Sequence, residues 1–359
     1  MVSNDLSIQD TSNDNIINNT TTTFTLIDTF NQPIVHDTLP STLLKLTFGK
    51  QFNQPLTEGC LPPSITSLKF GYNFNQPITA GCLPPSLLTL KFVSDFNQPI
   101  MPSTLPESLT KLKFGYHFNQ PLPIGALPAS IQTLAFSNDH AQDIIPGSLP
   151  SSLTCLTFGY YYNQPIRHGA LPLSLMSLRF IYNYNQVFMP GTLPPSLTSL
   201  TLGRRYQASF MTGALPASLE TLTFICNPFS ILECGRLPLQ SQLQSLAIQV
   251  WYYDKTHTFN DKARLLLMSL VQKVPTVNTY RLSYWISGRR LPFLDIHLRR
   301  YDSSSAICVS QFNNIEEQST TISLHWFELP TPLPEPVKPI VAITPMPEMD
   351  EDTFRRIFD

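Results

Sequence analysis

The chain has 359 residues, of which 42% are hydrophobic and only 13% charged. That apolar content can fill a core and excludes a wholly disordered chain, while a formal net charge of -2 excludes the global basic field of a dedicated nucleic-acid binder. No apolar run reaches the roughly 18 residues of a membrane-spanning helix, and six scattered cysteines do not read as a disulfide framework.

Residues 1–29 read as a polar, disordered tail. Met1–Thr23 is rich in Asn and Thr and lacks the basic start and apolar stretch of a secretory signal. A cytoplasmic, reducing location is the default expectation.

From 30 to 250 the chain repeats. The dipeptide Leu-Pro begins at Leu39, Leu61, Leu83, Leu105, Leu127, Leu149, Leu171, Leu193, Leu215 and Leu237, always 22 residues apart. A register that strict is the signature of a repeat architecture. With each leucine numbered zero, position +7 is Leu (Leu46, Leu68, Leu90, Leu112 and onward). Position +9 is almost always Phe (Phe48, Phe70, Phe92, Phe114 and onward). The alternation predicts a short strand with +7 and +9 turned inward and +6 and +8 outward. Pro after the leucine forbids helix entry, and Gly at -2 predicts a turn needing positive φ. One unit cannot bury its own Leu and Phe, so units must stack. The expected fold is mainly β: a right-handed, leucine-rich-repeat-like parallel β solenoid of about ten 22-residue units.

A second signature follows each strand, Phe-Asn-Gln-Pro, as at Phe52–Pro55 and Phe74–Pro77. Its asparagines (Asn53, Asn75, Asn97, Asn119, Asn163, Asn185) are expected to stack and satisfy backbone groups at a tight turn. Ser at +3 is expected to do the same with its hydroxyl. The signature decays after Pro121, and the last unit carries two extra residues, which marks the end of the array.

The unit Leu61–Ile78, Leu-Pro-Pro-Ser-Ile-Thr-Ser-Leu-Lys-Phe-Gly-Tyr-Asn-Phe-Asn-Gln-Pro-Ile, resembles the consensus of the FNIP repeat family. The resemblance covers roughly Phe30 to Val250. It implies a fold similar to leucine-rich repeats and an origin among social amoebae or giant viruses. Some members carry an N-terminal F-box and select substrates for a ubiquitin ligase, so a ligase adaptor is an alternative partner. The polar segment before this array does not resemble an F-box.

Residues 251–329 read as a small α+β cap over the last open edge of the solenoid. Asp261–Lys273 predicts a helix with Asn260 as N-cap. Segments Tyr280–Tyr284, Leu294–Leu298, Ala306–Phe312 and Thr321–Leu329 predict strands. Residues 330–359 read as a Pro-rich, acidic tail, extended at first. Its end places Phe354, Ile357 and Phe358 at the spacing of one helix face.

No catalytic constellation is present: no G-x-S-x-G, no phosphate-binding Gly loop, no H-E-x-x-H and no C-x-x-C. No enzyme activity, metal or cofactor is expected. Cys60 and Cys82 share position -1 of neighbouring units, a slot that elsewhere holds Thr, Ala or Ser, so they are expected to pack as small apolar groups. His140 near Asp139 and Asp143, and His257 near Asp254, are expected on solvated turns.

What remains is surface. The outward columns +6 and +8 hold Lys45, Lys69, Lys91, Lys111, Lys113 and Arg179, and no acidic residue. Lys69, Lys91 and Lys113 are expected one above another about 4.8 Å apart. The expected function is a non-enzymatic protein–protein interaction scaffold. Its partner is an acidic or phosphorylated protein segment, and neither nucleic acid nor membrane. A structural or decoy repeat protein without a defined ligand is the further alternative.

Overall fold

The computed structural model describes residues 20–225, 245–252, 279–286, 294–300, 305–314 and 319–328. Two compact units divide the chain, Met1–Thr198 with Gly213–Pro216, and Ser199–Thr212 with Ala217–Asp359.

The first unit is built on eight short strands: β1 (Thr23–Thr25), β2 (Lys45–Thr47), β3 (Ser67–Lys69), β4 (Thr89–Lys91), β5 (Lys111–Lys113), β6 (Thr133–Ala135), β7 (Cys155–Phe158) and β8 (Ser177–Phe180). Each pairs in parallel with the next, and the register steps by 22 residues: Phe24↔Leu46, Leu46↔Leu68, Leu68↔Leu90, Leu90↔Leu112. Turns on both sides hold the strands to this length. Before the strand, the Leu43 N–H donates to the Pro40 carbonyl at 3.0 Å, and the bond recurs at Ile65–Pro62, Leu87–Pro84 and Leu109–Pro106. At the far end of the unit, the Cys60 N–H donates to the Thr57 carbonyl and Cys82 to Thr79. The third residue of that turn is the expected Gly at -2, with φ of 73° at Gly59 and 81° at Gly81. Asp37 and Ser103 fill the same slot in two units and adopt φ of 65° despite their side chains.

The core is two interleaved aromatic columns beside a leucine column. Leu46, Leu68, Leu90 and Leu112 are each at most 1% exposed. Phe70 at +9 stacks on Phe74 at +13 of its own unit, 3.8 Å between centroids. It also stacks on Phe48 and Phe92 of the neighbouring units at 5.3 and 5.2 Å. Phe48, Phe92 and Phe114 continue the pattern. Each ring removed from water contributes on the order of 2–3 kcal/mol, and each stacked pair roughly 0.5–1.5 kcal/mol more. No single unit supplies both faces of a ring, which makes stacking obligatory.

Polar side chains bind the turns together. The Oδ1 of Asn53 accepts the backbone N–H of Asn75 at 3.0 Å and the Nε2 of Gln76 at 3.1 Å. Asn97 does the same for Asn119 and Gln120. The asparagine column therefore satisfies backbone groups as expected, and its target is the following unit. The Ser at +3 reaches the other way: Ser64 Oγ donates to the Leu43 carbonyl at 2.7 Å, one unit back.

The strand β1 falls within the segment expected as a tail. Phe24 and Leu26 occupy the +7 and +9 slots, 2% and 0% exposed. The Leu-Pro marker is missing from that unit, so the repeat register alone did not reveal it.

The second unit contains β9 (Ser199–Leu202), β10 (Thr221–Ile225), β11 (Ser245–Tyr252), β12 (Thr279–Ile286), β13 (Leu294–Arg300), β14 (Ser305–Asn314) and β15 (Ser319–Glu328). β9 to β12 pair in parallel. The two extra residues show in the register, Leu222↔Leu246, and β12 then joins through Leu246↔Tyr280. Parallel order thus runs one strand beyond the last repeat. β13, β14 and β15 continue as an antiparallel meander. All four expected strands are present, somewhat longer than their sequence patterns. The expected helix at 261–273, Gly235, His257 and the tail after 328 lie outside the described residues. The parallel β solenoid comprises about nine turns of 22 residues.

Candidate partner-binding strip

The strip follows from strand alternation. In β2, β3, β4 and β5 the central leucine is buried and its two neighbours face outward. Lys45, Lys69, Lys111 and Lys113 are exposed, and Lys91 is half-buried. Register places Lys69 opposite Lys91 and Lys91 opposite Lys113. Lys111 lies on the strand of Lys113, and Lys45 on the strand next to Lys69. The side chains of the row arise from backbone sites about 4.8 Å apart, the spacing of neighbouring strands.

The strip contrasts with the rest of this unit. No carboxylate occupies +6 or +8 from β2 to β8. Elsewhere bases find acids: Lys50 meets Asp28 at 2.7 Å and Arg167 meets Asp143 at 2.6 Å. The first pair lowers the Asp28 carboxyl pKa and raises that of the Lys50 amine, through their mutual hydrogen bond. Among the described residues Lys45, Lys69, Lys111 and Lys113 have no ion pair.

Arg179 does not join this row. It lies on β8, separated from Lys113 by Ala135 and Thr157 in the same column. It is half-buried, and burial lowers its guanidinium pKa. Its Nε has no hydrogen-bond partner. Two apolar side chains that the sequence reading passed over border the strip: Leu44 and Leu88, at +5, are 43% and 45% exposed. Their signal was their position, one residue before an outward lysine or threonine.

The remaining candidates resolve into packing. Cys60 and Cys82 are free thiols, each 2% exposed, and burial raises both pKa values. Raised thiol pKa suppresses the reactive thiolate, in keeping with a small-residue slot. His140 departs from the expected solvated turn. It occupies the +13 aromatic slot at 1% exposure, stacked 4.1 Å from Phe136 and 5.9 Å from Phe118. Its acidic neighbours are engaged elsewhere, Asp139 with His117 at 2.7 Å and Asp143 with Arg167. Among the described residues, no three His, Cys, Asp or Glu side chains gather as metal ligands. Among them, too, no helix is long and apolar enough to cross a membrane.

Comparison with known proteins bears on the repeat fold. A search of curated proteins gives no significant match. A solved structure described as the crystal structure of CroV588, a novel circular LRR protein structure, is similar at 34% sequence identity and a TM-score of 0.58. The likeness covers 75% of this chain and 40% of that one, so the chain spans less than half the length of that protein. The FNIP Repeat model matches residues 14–51, 52–95, 96–139, 140–183 and 184–227, each match after the first taking in two 22-residue units. Those matches cover more than half of the sequence, and the chain belongs to the FNIP repeat family.

Proposed function

We propose that this protein is a non-enzymatic, cytoplasmic docking scaffold that binds an acidic or phosphorylated protein segment along the outward face of β2 to β5. The observation that supports this reading is the direct register of Lys69, Lys91 and Lys113 on adjacent parallel strands, with no carboxylate in their columns. An anion lying across neighbouring ammonium groups offsets the repulsion between them. Each contact is a charge-assisted hydrogen bond from Nζ to a carboxylate or phosphate oxygen. The scaffold itself is rigid because each rung is locked by leucine, aromatic and asparagine columns.

The test is binding of a fluorescent octaglutamate peptide and of a phosphoserine peptide to the full chain. Lys69→Glu, Lys91→Glu and Lys113→Glu together should weaken at least one peptide by about tenfold or more, without lowering the melting temperature. Rising salt should weaken the wild-type complex in the same direction. Unchanged binding of both peptides in the triple variant would overturn the assignment.

A further inference from the structure

The turn before each Leu-Pro step is the same in every unit of the first compact body, from Leu39 to Leu193. The N–H at position -1 donates to the carbonyl at -4, as from Thr38 to Val35 and Thr104 to Met101 at 3.3 Å, and from Ser148 to Ile145 and Thr192 to Met189 at 3.1 Å. Proline at -3, in Pro102, Pro146 and Pro190, suits the second place of such a turn, and the residue at -2 has positive φ. The side chain at -3 reaches across the bare backbone of the following turn. The atoms nearest a Cβ on Gly81, Gly147 and Gly191 belong to Glu58, Ile124 and His168, at 3.3, 3.8 and 3.6 Å. The turns therefore form one continuous ridge, whose chemistry is set by positions -4 and -3.

Turn geometry does not account for that chemistry. Ile124 is 64% exposed, Met101 55%, Met189 54% and Val35 52%. Turn preferences call for none of Met, Ile or Val at these places, and the equivalent sites of other units hold Thr57 and Thr79. Along the ridge the turns run apolar at Val35, acidic at Glu58, small at Ala80, apolar at Met101, apolar at Ile124, apolar at Ile145, basic at Arg167 and His168, and apolar at Met189. His36, beside Val35, is engaged by Asp37 at 2.7 Å, and Arg167 by Asp143 at 2.6 Å. Among the described residues neither Glu58 nor His168 has an ion pair. Read from the opposite end, the same order returns with its charge reversed.

We infer that this ridge is the interface of a homodimer, in which a second copy of the chain lies antiparallel on the first about a two-fold axis between the Met101 and Pro123 turns. That axis sets Met101 of one copy opposite the Pro123–Ile124 turn of the other at the centre. It sets Glu58 opposite Arg167 and His168 on both flanks, and Val35 opposite Met189 at both ends. Such self-complementarity is what an isologous contact requires. Sliding one copy by a single turn leaves Glu58 against the Ile145 or the Met189 turn, with its charge unanswered, so the charges fix the register. An apolar centre with a polar flank is the usual anatomy of an interface. The face is narrow, so the dimer is weak, with a dissociation constant in the micromolar range.

The experiment is sedimentation equilibrium of the full chain from about 1 to about 200 μM, a range that brackets the expected constant. The wild type should move from monomer to dimer. Ile124→Asp should weaken association by about tenfold or more, since it places a charge in the apolar centre. Glu58→Arg should weaken it too, and adding His168→Glu to that variant should bring the dimer back, because the reversed pair again faces its opposite across the axis. These sites are exposed, so the melting temperature of the monomer should not fall. A chain that stays monomeric at every concentration overturns the inference, as does a dimer indifferent to Ile124→Asp. A dimer that Ile124→Asp breaks, but that the charge exchange at Glu58 and His168 neither weakens nor restores, overturns the antiparallel two-fold arrangement.

Discussion

The side-chain oxygen of Asn75 accepts the backbone N–H of Asn97, one turn onward, at 2.9 Å. The same oxygen accepts the Gln98 Nε2 at 3.1 Å. One carbonyl thus satisfies a backbone donor and a side-chain donor of the next unit, at a half-buried site. Asn75→Ala leaves that backbone N–H without its acceptor, at a cost of about 1–3 kcal/mol. Urea unfolding should show the midpoint falling accordingly. The column also has a natural gap. Ala141 stands in the asparagine slot below Asn163, and Gln164 turns to the Ala141 carbonyl instead, at 2.9 Å. Ala141→Asn should restore the acceptor and raise stability by roughly 0.5–1.5 kcal/mol. A midpoint unmoved by either change would mean that the ladder carries no net stability.

Ser103 holds φ of 65° in a slot where its neighbours Gly81 and Gly125 both sit at 81°. A side chain in that region costs about 1–2 kcal/mol. Glycine returns part of this by loosening the unfolded chain, about 0.5–1 kcal/mol. Ser103→Gly should therefore stabilise by a net 0.5–1 kcal/mol or so, a rise of about 1–4 °C in melting temperature for a unit of this size. Gly81→Ala should do the reverse. The atoms nearest a Cβ there belong to the flexible Glu58 side chain, at 3.3–3.4 Å, so its cost is chiefly conformational.

Gly71 is constrained differently. A Cβ built on it would overlap the Gly49 carbonyl of the preceding unit. That carbonyl is backbone and cannot rotate away as a side-chain tip does. Gly71→Ala should force the two turns apart and destabilise by about 1–3 kcal/mol, the usual range for overpacking. Retention of full stability on calorimetry would show that the turn shifts at no cost.

The parts of this fold that were legible in the sequence are those that repeat. A 22-residue period fixes a 22-residue register, and leucine at +7 with phenylalanine at +9 fixes which strand face is buried. The parts that escaped are those where an element keeps its place but loses its marker. β1 keeps Phe24 and Leu26 in the inward slots, yet Ile17 stands where Leu-Pro would announce the unit. β12 continues the parallel order, but Tyr280 lies 34 residues after its partner Leu246 and falls outside the period. Among the strip residues, the register of Lys69, Lys91 and Lys113 was readable because all three share one column. The half-burial of Arg179 was not, since its column position matches theirs. His140 was readable in principle: it sits at +13, where Phe118 and Tyr162 flank it, and slot identity outweighs the two nearby aspartates.

His140 also gives the protein a built-in acid sensitivity. Its imidazole is stacked between Phe118 and Tyr162, with centroids at 5.9 and 6.3 Å, and lies 4.1 Å from Phe136. Neither ring nitrogen has a hydrogen-bond partner. Burial among rings opposes the charged form and pushes the pKa down from 6.5 to about 3. Between those two values the unfolded chain binds a proton that the folded chain refuses. Falling pH therefore favours unfolding, and the loss begins near pH 6.5 and is complete near pH 3. At 1.36 kcal/mol per unit the full loss is on the order of 5 kcal/mol, and roughly 2 kcal/mol by pH 5. His140→Phe puts the consensus ring in the slot and removes two unsatisfied nitrogens. It should raise stability at pH 7 by about 1–3 kcal/mol and flatten the decline between pH 6.5 and 5 relative to wild type. Carboxylates titrating at lower pH act on both proteins alike, so the difference between the two stability curves isolates the histidine. Parallel curves would mean that His140 is protonated in place without unfolding the stack.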